Sequence, residues 1–287
     1  MTGLMIALIP ALLWGTLPLV STKMGGTPNQ QAFGMTIGAI FFSIVVSFIV
    51  PPIFNWTVVM ISFISGLFWA VGQLYQFAAM KTIGISKTMP VSTGMQLAGA
   101  ALCGVLIFGE WNTAFRLSVG LTALVLIVAG VLCTSHEPGK NGHTESISMI
   151  KGILLLLLST SGYVSYIVIL RLFDINGWSA ILPQSAGMIT GALLLSGRQA
   201  SHLITRETAG NMISGLMWGG GNIALLMATK LEGVATSFSL SQVGTVLSTL
   251  GGIFLLGEKK SKTQMIFVMA GCFLIVTGGV LLGMTKQ

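Results

Sequence analysis

Apolar runs, each about as long as a bilayer is thick, follow one another along the whole chain and are separated by short polar breaks. A membrane-spanning helix needs about 20 mostly apolar residues. Ten runs meet this length, at roughly 4–22, 32–50, 58–80, 87–108, 116–134, 152–172, 180–196, 210–229, 234–256 and 265–283. The pattern therefore predicts an all-α membrane protein of about ten transmembrane helices. Near the middle, Ser135 to Ser148 reads SHEPGKNGHTESIS, the longest polar segment, rich in turn formers, and predicts a solvated loop.

The third run breaks the apolar pattern from within. Ser65 to Thr82 reads SGLFWAVGQLYQFAAMKT. On a helix, Gln73 and Gln76 fall within about 40° of Trp69, so the ring and both amides share one face. The eighth run, SGLMWGGGNIALLMATKL from Ser214 to Leu231, repeats this stripe: Gly215, Trp218 and Asn222 stand 149 positions after Gly66, Trp69 and Gln73.

Other segments repeat as well. QAFGMTIGA from Gln31 and QSAGMITGA from Gln184 share five of nine residues. Phe108-Gly109-Glu110 matches Leu256-Gly257-Glu258, and Trp14-Gly15 matches Ser161-Gly162 weakly. An odd number of spans per half makes the second half enter the bilayer the other way up, which predicts two inverted five-helix repeats. The expected divisions are residues 1–134, a cytoplasmic linker at 135–150, and residues 151–287.

Composition changes the picture in one respect: it fixes the solvent. Of 287 residues, 53% are hydrophobic and 7% charged. A soluble domain carries about 25% charged residues, so lipid is the surrounding medium for most of this surface. The net charge of +7 comes from basic residues scattered singly between apolar runs. That is a topology signal rather than a nucleic-acid face, and no nucleic-acid partner is expected. Ten of the 14 Lys and Arg residues fall on the side of the central loop, which predicts a cytoplasmic loop, extracellular termini and a multi-pass protein of the cell membrane. The first charge is Lys23 and no basic segment precedes the first apolar run, so that run is expected to remain as a membrane helix.

The chemistry on offer is neutral. The seven carboxylates lie at predicted helix ends or in loops, and His136, His143 and His202 fall in predicted loops. Cys103, Cys133 and Cys272 lie in apolar runs as packing residues. No catalytic motif, nucleotide-binding loop or metal-ligand spacing is present, so neither an enzyme nor a cofactor or metal is expected. Inside the spans are amides and rings. Amides both donate to and accept from hydroxyls, and ring faces pack on the apolar C–H face of a sugar. This suits a neutral, polyhydroxylated ligand. The candidate substrate-binding residues are Trp14, Trp69, Gln73, Gln96, Trp218, Asn222 and Gln242. Interhelical hydrogen bonding is the competing role for any single amide.

Three further runs carry a family resemblance: TMPVSTGMQ from Thr88, GVATSFSLSQ from Gly233 and STLGGIFLLGE from Ser248, joined by PALLWG near the N-terminus and SGLFWAVGQ. Across nearly the whole chain these resemble the glucose/ribose porter family of the drug/metabolite transporter superfamily, which includes bacterial glucose uptake proteins. The resemblance implies a ten-helix secondary transporter of two inverted halves that imports glucose or a related sugar with protons. Glu110 and Glu258, which end the paired Gly-Glu motifs, become candidates for proton coupling, against the alternative of carboxylates in contact with water at helix ends. Transport would proceed by alternating access. Uptake of ribose or another monosaccharide, export of another small metabolite, and a sensor or assembly role on a transporter fold are the remaining readings.

Overall fold

The structure is a computed structural model and describes residues 2–109, 111–136, 143–232, 240–241 and 243–285. Among these residues there are ten α-helices, one 3-10 turn and no strand. The helices are α1 (Thr2–Met24), α2 (Pro28–Ile49), α3 (Trp56–Ile83), α4 (Ile85–Phe108), α5 (Ala114–Ser135), α6 (His143–Leu172), α7 (Gly177–Ser196), α8 (Arg206–Glu232), α9 (Gly244–Phe254) and α10 (Lys262–Met284). Eight are long and apolar enough to cross a membrane, and large apolar side chains point outward from them, with Phe48, Leu106 and Phe273 all more than two-thirds exposed. In water such a surface would drive aggregation; in a bilayer it faces lipid. The protein is a multi-pass membrane protein.

Two helices fall outside those eight. α8 has ample length, but its glycines, threonines and Asn222 dilute its apolar character. α9 is described over Gly244–Phe254, while residues 234–239 and 242 of the expected 234–256 run lie outside the described residues.

Helix starts follow local chemistry. Thr27 with Gln30, and Ser261 with Gln264, form capping boxes at α2 and α10. Thr113 and Asn176 cap α5 and α7. Pro10 and Pro18 in α1, Pro90 in α4 and Pro183 in α7 lie inside continuous helices. The sixth helix corrects an expectation. It begins at His143, inside the segment expected to be a loop, so His143 is helical. Hydropathy marks where lipid ends. A helix is free to continue past that point, and this one starts nine residues before the expected apolar run at 152.

The chain packs as two compact units, and each draws on both sequence halves. One comprises Met1–Leu19, Ala79–Leu156 and Gly221–Gln287; the other comprises Val20–Ala78 and Leu157–Gly220. The boundaries fall within α1, α3, α6 and α8. A repeat and a packing unit are therefore separate descriptions of this chain.

In the second unit, close backbone approach organises the packing. A Cβ on Gly38 of α2 would stand 2.0 Å from the Met212 carbonyl oxygen of α8, and one on Gly215 of α8 would stand 2.1 Å from that of Met35. α3 and α7 do the same through Gly66 against Gln184 and Gly187 against Phe63. Gly34, one turn before Gly38 on α2, adds to this approach, lying against the Thr208 carbonyl of α8.

In the first unit, α5 and α10 meet at Gly130 and Gly271. Leu97, Ala101, Ala123, Ile127, Ile275 and Leu282 form a core around Trp111, whose indole donates to Thr285 Oγ1 at 3.0 Å. The start of α4 also lies in this unit. Its N-cap position is Gly84, with φ +83° and no side chain to offer. The carboxylate of Glu258 serves instead, accepting from the backbone N–H groups of Ile85 and Ser86 and from the Ser86 hydroxyl. The free N–H groups and positive dipole at a helix start favour an anion there.

Candidate functional site

The second unit holds a cluster of rings and amides on α3, α6 and α8. Helical periodicity places Trp69, Gln73 and Gln76 on one face of α3. Trp69 is 2% exposed, Gln73 4% and Gln76 7%. α6 can approach this face because Gly162 lies against the α3 backbone at Phe68 and Gly72. The next residue, Tyr163, then lays its ring on Gly72, where a Cβ would stand 2.7 Å from it. Ser159 Oγ, one turn earlier on α6, donates to the Gly72 carbonyl at 2.7 Å and holds the two helices in register.

The rings form a connected series. Trp69 meets Trp218 of α8 edge to face at a centroid distance of 5.3 Å. It meets Tyr163 at 6.3 Å, and Tyr163 meets Tyr166 at 6.3 Å, both also edge to face. These are favoured geometries for aromatic quadrupoles.

The polar groups converge on one hydroxyl. Tyr163 donates to Gln73 Oε1 at 2.7 Å and to Gln76 Oε1 at 3.1 Å. The other end of the Gln73 amide is different: Nε2 is buried and has no hydrogen-bond partner. An amide donor buried without a partner costs about 1–3 kcal/mol on protein scales. Natural structures keep such groups rarely, and each calls for an explanation.

No charge is buried beside them. Among the described residues, the buried polar groups are Ser, Thr, Asn and Gln side chains and the Tyr163 hydroxyl, none of them charged, and no grouping of residues suits a metal ion. The arrangement offers amide donors and acceptors between aromatic rings, which is chemistry for a neutral hydroxyl-bearing molecule.

Of the residues expected from sequence, the structure brings Trp69, Gln73 and Trp218 together. Trp14, Gln96 and Asn222 belong to the other unit. There the Trp14 indole lies on Gly221, the residue before Asn222. Gln96 donates to Ser92 Oγ at 2.9 Å along its own helix. Glu258 caps α4, as described above. Gln242 and Glu110 lie outside the described residues. Gln31 and Gln184, which share the amide character of the candidates, bond within the helix framework: Gln31 donates to the Ser21 carbonyl and Gln184 to Ser65 Oγ.

The hydrogen-bonding role of Tyr163 was missed in the sequence. The available signal was its place among the aromatic rings inside the predicted spans, beside the weak match of Ser161-Gly162 to Trp14-Gly15, which stops one residue short of it.

Comparison with known proteins gives a family. The profile of the sugar transport protein family matches residues 5–285. The chain is 50% identical, over 285 residues, to a Listeria monocytogenes protein provisionally named for sugar uptake, covering 99% of this chain and 100% of that protein. It is 46% identical to the glucose uptake protein GlcU of Bacillus subtilis, covering 99% of this chain and 98% of the relative. A solved crystal structure matches with a TM-score of 0.59 at 19% identity, covering 98% of this chain and 96% of that one, which is a likeness of fold. By sequence over nearly its whole length, this chain belongs to the sugar transport protein family.

Proposed function

We propose that the protein imports a neutral sugar, with glucose as the first candidate, and that the sugar binds at Trp69, Gln73, Tyr163 and Trp218. The observation that carries this reading is the buried, unpartnered Nε2 of Gln73 among aromatic rings. A sugar hydroxyl accepting from Nε2 would offset the cost of burying it, while the rings would pack on the sugar's C–H face. The relatives' names point to the same substrate class. Ribose and other monosaccharides are the second reading, since rings and amides suit any of them.

Transport by alternating access across ten spans in two inverted repeats belongs to the same proposal. It draws support from the paired contacts of α3 with α7 and of α8 with α2, each joining one sequence half to the other. The residue divisions 1–134, 135–150 and 151–287, the cytoplasmic linker and the extracellular termini follow from that repeat and from the Lys and Arg distribution. Trp14, Gln96, Asn222 and Gln242 stay as secondary candidates on sequence grounds. Proton symport enters from the family resemblance alone, with Glu110 and Glu258 as its candidates.

Reconstituted vesicles supplied with labelled glucose and ribose test the proposal. Saturable uptake of one sugar is the expected outcome, and failure to move any monosaccharide would sink it. Collapse of uphill accumulation on adding a protonophore is expected for symport; accumulation that survives the protonophore removes that part alone. A reporter fused to the C-terminus should be active only outside the cell.

A further inference from the structure

We propose that Tyr163 is a positioning residue that fixes which end of the Gln73 amide meets the sugar, so that the protein reads one sugar hydroxyl as a hydrogen-bond acceptor. This rests on the sugar site proposed above. A glutamine amide is nearly symmetric in shape but carries a carbonyl at one end and an NH2 at the other. Left alone, it could present either end and so recognise a ligand group of either polarity.

Tyr163 removes that freedom through two contacts. Its single hydroxyl proton faces two acceptors, Gln73 Oε1 at 2.7 Å and Gln76 Oε1 at 3.1 Å. Both carbonyls are thereby drawn to one point, and the shorter contact is with Gln73. The Gln73 carbonyl is occupied, and the NH2 is the end left unpartnered. Tyr163 cannot easily move away. Its ring is seated on Gly72, one residue before Gln73, and it lies edge to face with both Trp69 and Tyr166. The phenol, the glycine that admits it and the amide it orients form one device. What the device presents is a donor.

A donor in the site imposes a rule on the ligand. The hydroxyl it meets must supply a lone pair. Replacing that hydroxyl with fluorine keeps a weak acceptor and removes the proton; replacing it with hydrogen removes both. At the sugar position facing Gln73, the fluoro analogue should therefore compete better than the deoxy analogue. An acceptor in the same place would treat the two alike, since neither analogue can donate.

The test is competition by a series of monodeoxy and monofluoro sugars against uptake of the labelled sugar in reconstituted vesicles, in wild type, Tyr163→Phe and Gln73→Glu. In wild type, one ring position should show the fluoro analogue binding about twofold to threefold more tightly than the deoxy analogue, the low end of a neutral hydrogen bond's worth, as suits a weak acceptor. In Tyr163→Phe, which keeps the ring and loses the hydroxyl, the gap should close. In Gln73→Glu, which has no NH2, it should close as well. Sugar-dependent thermal stabilisation of the purified variants, read with the same analogues, gives the same comparison where uptake is slow. A wild type that treats fluoro and deoxy analogues alike at every position overturns the proposal, and so does a gap that persists in Tyr163→Phe. Either result leaves sugar transport standing. Absence of uptake of any sugar overturns both readings together.

Discussion

Gly72 of α3 and Gly221 of α8 stand 149 residues apart, and each lies beneath an aromatic ring from the other half of the chain. Gly72 meets Tyr163 of α6, and Gly221 meets Trp14 of α1. Each glycine is followed directly by an amide, Gln73 in one place and Asn222 in the other. The steric part of the two sites is thus the same: a helix without a side chain at one position, and a ring laid in the space. The chemistry differs. A phenol both donates and accepts, whereas an indole only donates. Gln73 reaches the Tyr163 hydroxyl and leaves its Nε2 without a partner. Asn222 is one methylene shorter and has a partner of its own. The two places share their packing and differ in their hydrogen bonding.

The largest test of this contrast removes the amides. Gln73→Leu should weaken apparent sugar affinity by about tenfold to a hundredfold, the range for losing a buried hydrogen bond to a ligand. Asn222→Leu should cost much less in affinity. Competition assays on the two variants check this, and equal losses would erase the contrast.

The next test concerns what the two places share. A Cβ at Gly221 would stand 2.2 Å from the Trp14 indole nitrogen, and one at Gly72 would stand 2.7 Å from the Tyr163 ring. Alanine at either position should lower thermal stability by about 1–3 kcal/mol, the usual cost of overpacking, with Gly221→Ala the more severe. Trp14→Leu should rescue Gly221→Ala and leave Gly72→Ala unrescued, as read from melting temperatures in detergent.

A smaller effect is expected at the repeated Gly-Glu motif. Glu258→Ala removes the cap of α4 and should cost about 1 kcal/mol of stability, while accumulation remains sensitive to a protonophore. Loss of uphill accumulation at unchanged stability would instead make Glu258 a proton carrier. The smallest effect belongs to Gln96→Leu. Its bond to Ser92 is local, and membrane side-chain hydrogen bonds average about 0.6 kcal/mol. Apparent affinity should change less than about threefold, and a loss rivalling that of Gln73→Leu would bring Gln96 into the site.

How far the sequence reaches can be followed residue by residue. Helical periodicity placed Trp69 and Gln73 on one face because a 3.6-residue repeat survives any tertiary arrangement. The same periodicity could not separate Gln73 from Gln31 and Gln184, which repeat just as well and spend their amides on Ser21 and Ser65. Only the partners distinguish them, and partners come from folding. Tyr163 gave too weak a sequence signal because its role needs α6 brought against Gly72. The cap supplied by Glu258 joins positions 173 residues apart at the Ile85 N–H, and no local pattern encodes that. The early start of α6 at His143 was hidden for another reason: apolar length measures lipid thickness, and a helix is free to be longer.

The division of the chain into units that each draw on both halves has a consequence for biosynthesis. The unit that holds Tyr163 and Gln73 cannot close until Gly220 has been made, and the other waits for the last helix. While the ribosome is still on the first half, α4 has no Glu258 at its start, α5 has no α10 to lie against, and Gly72 has no ring above it. The nascent helices must enter the bilayer and wait there with their glycine faces and amides open. A chain ending before residue 157 would lack everything the second unit takes from the later half, and with it the ring above Gly72.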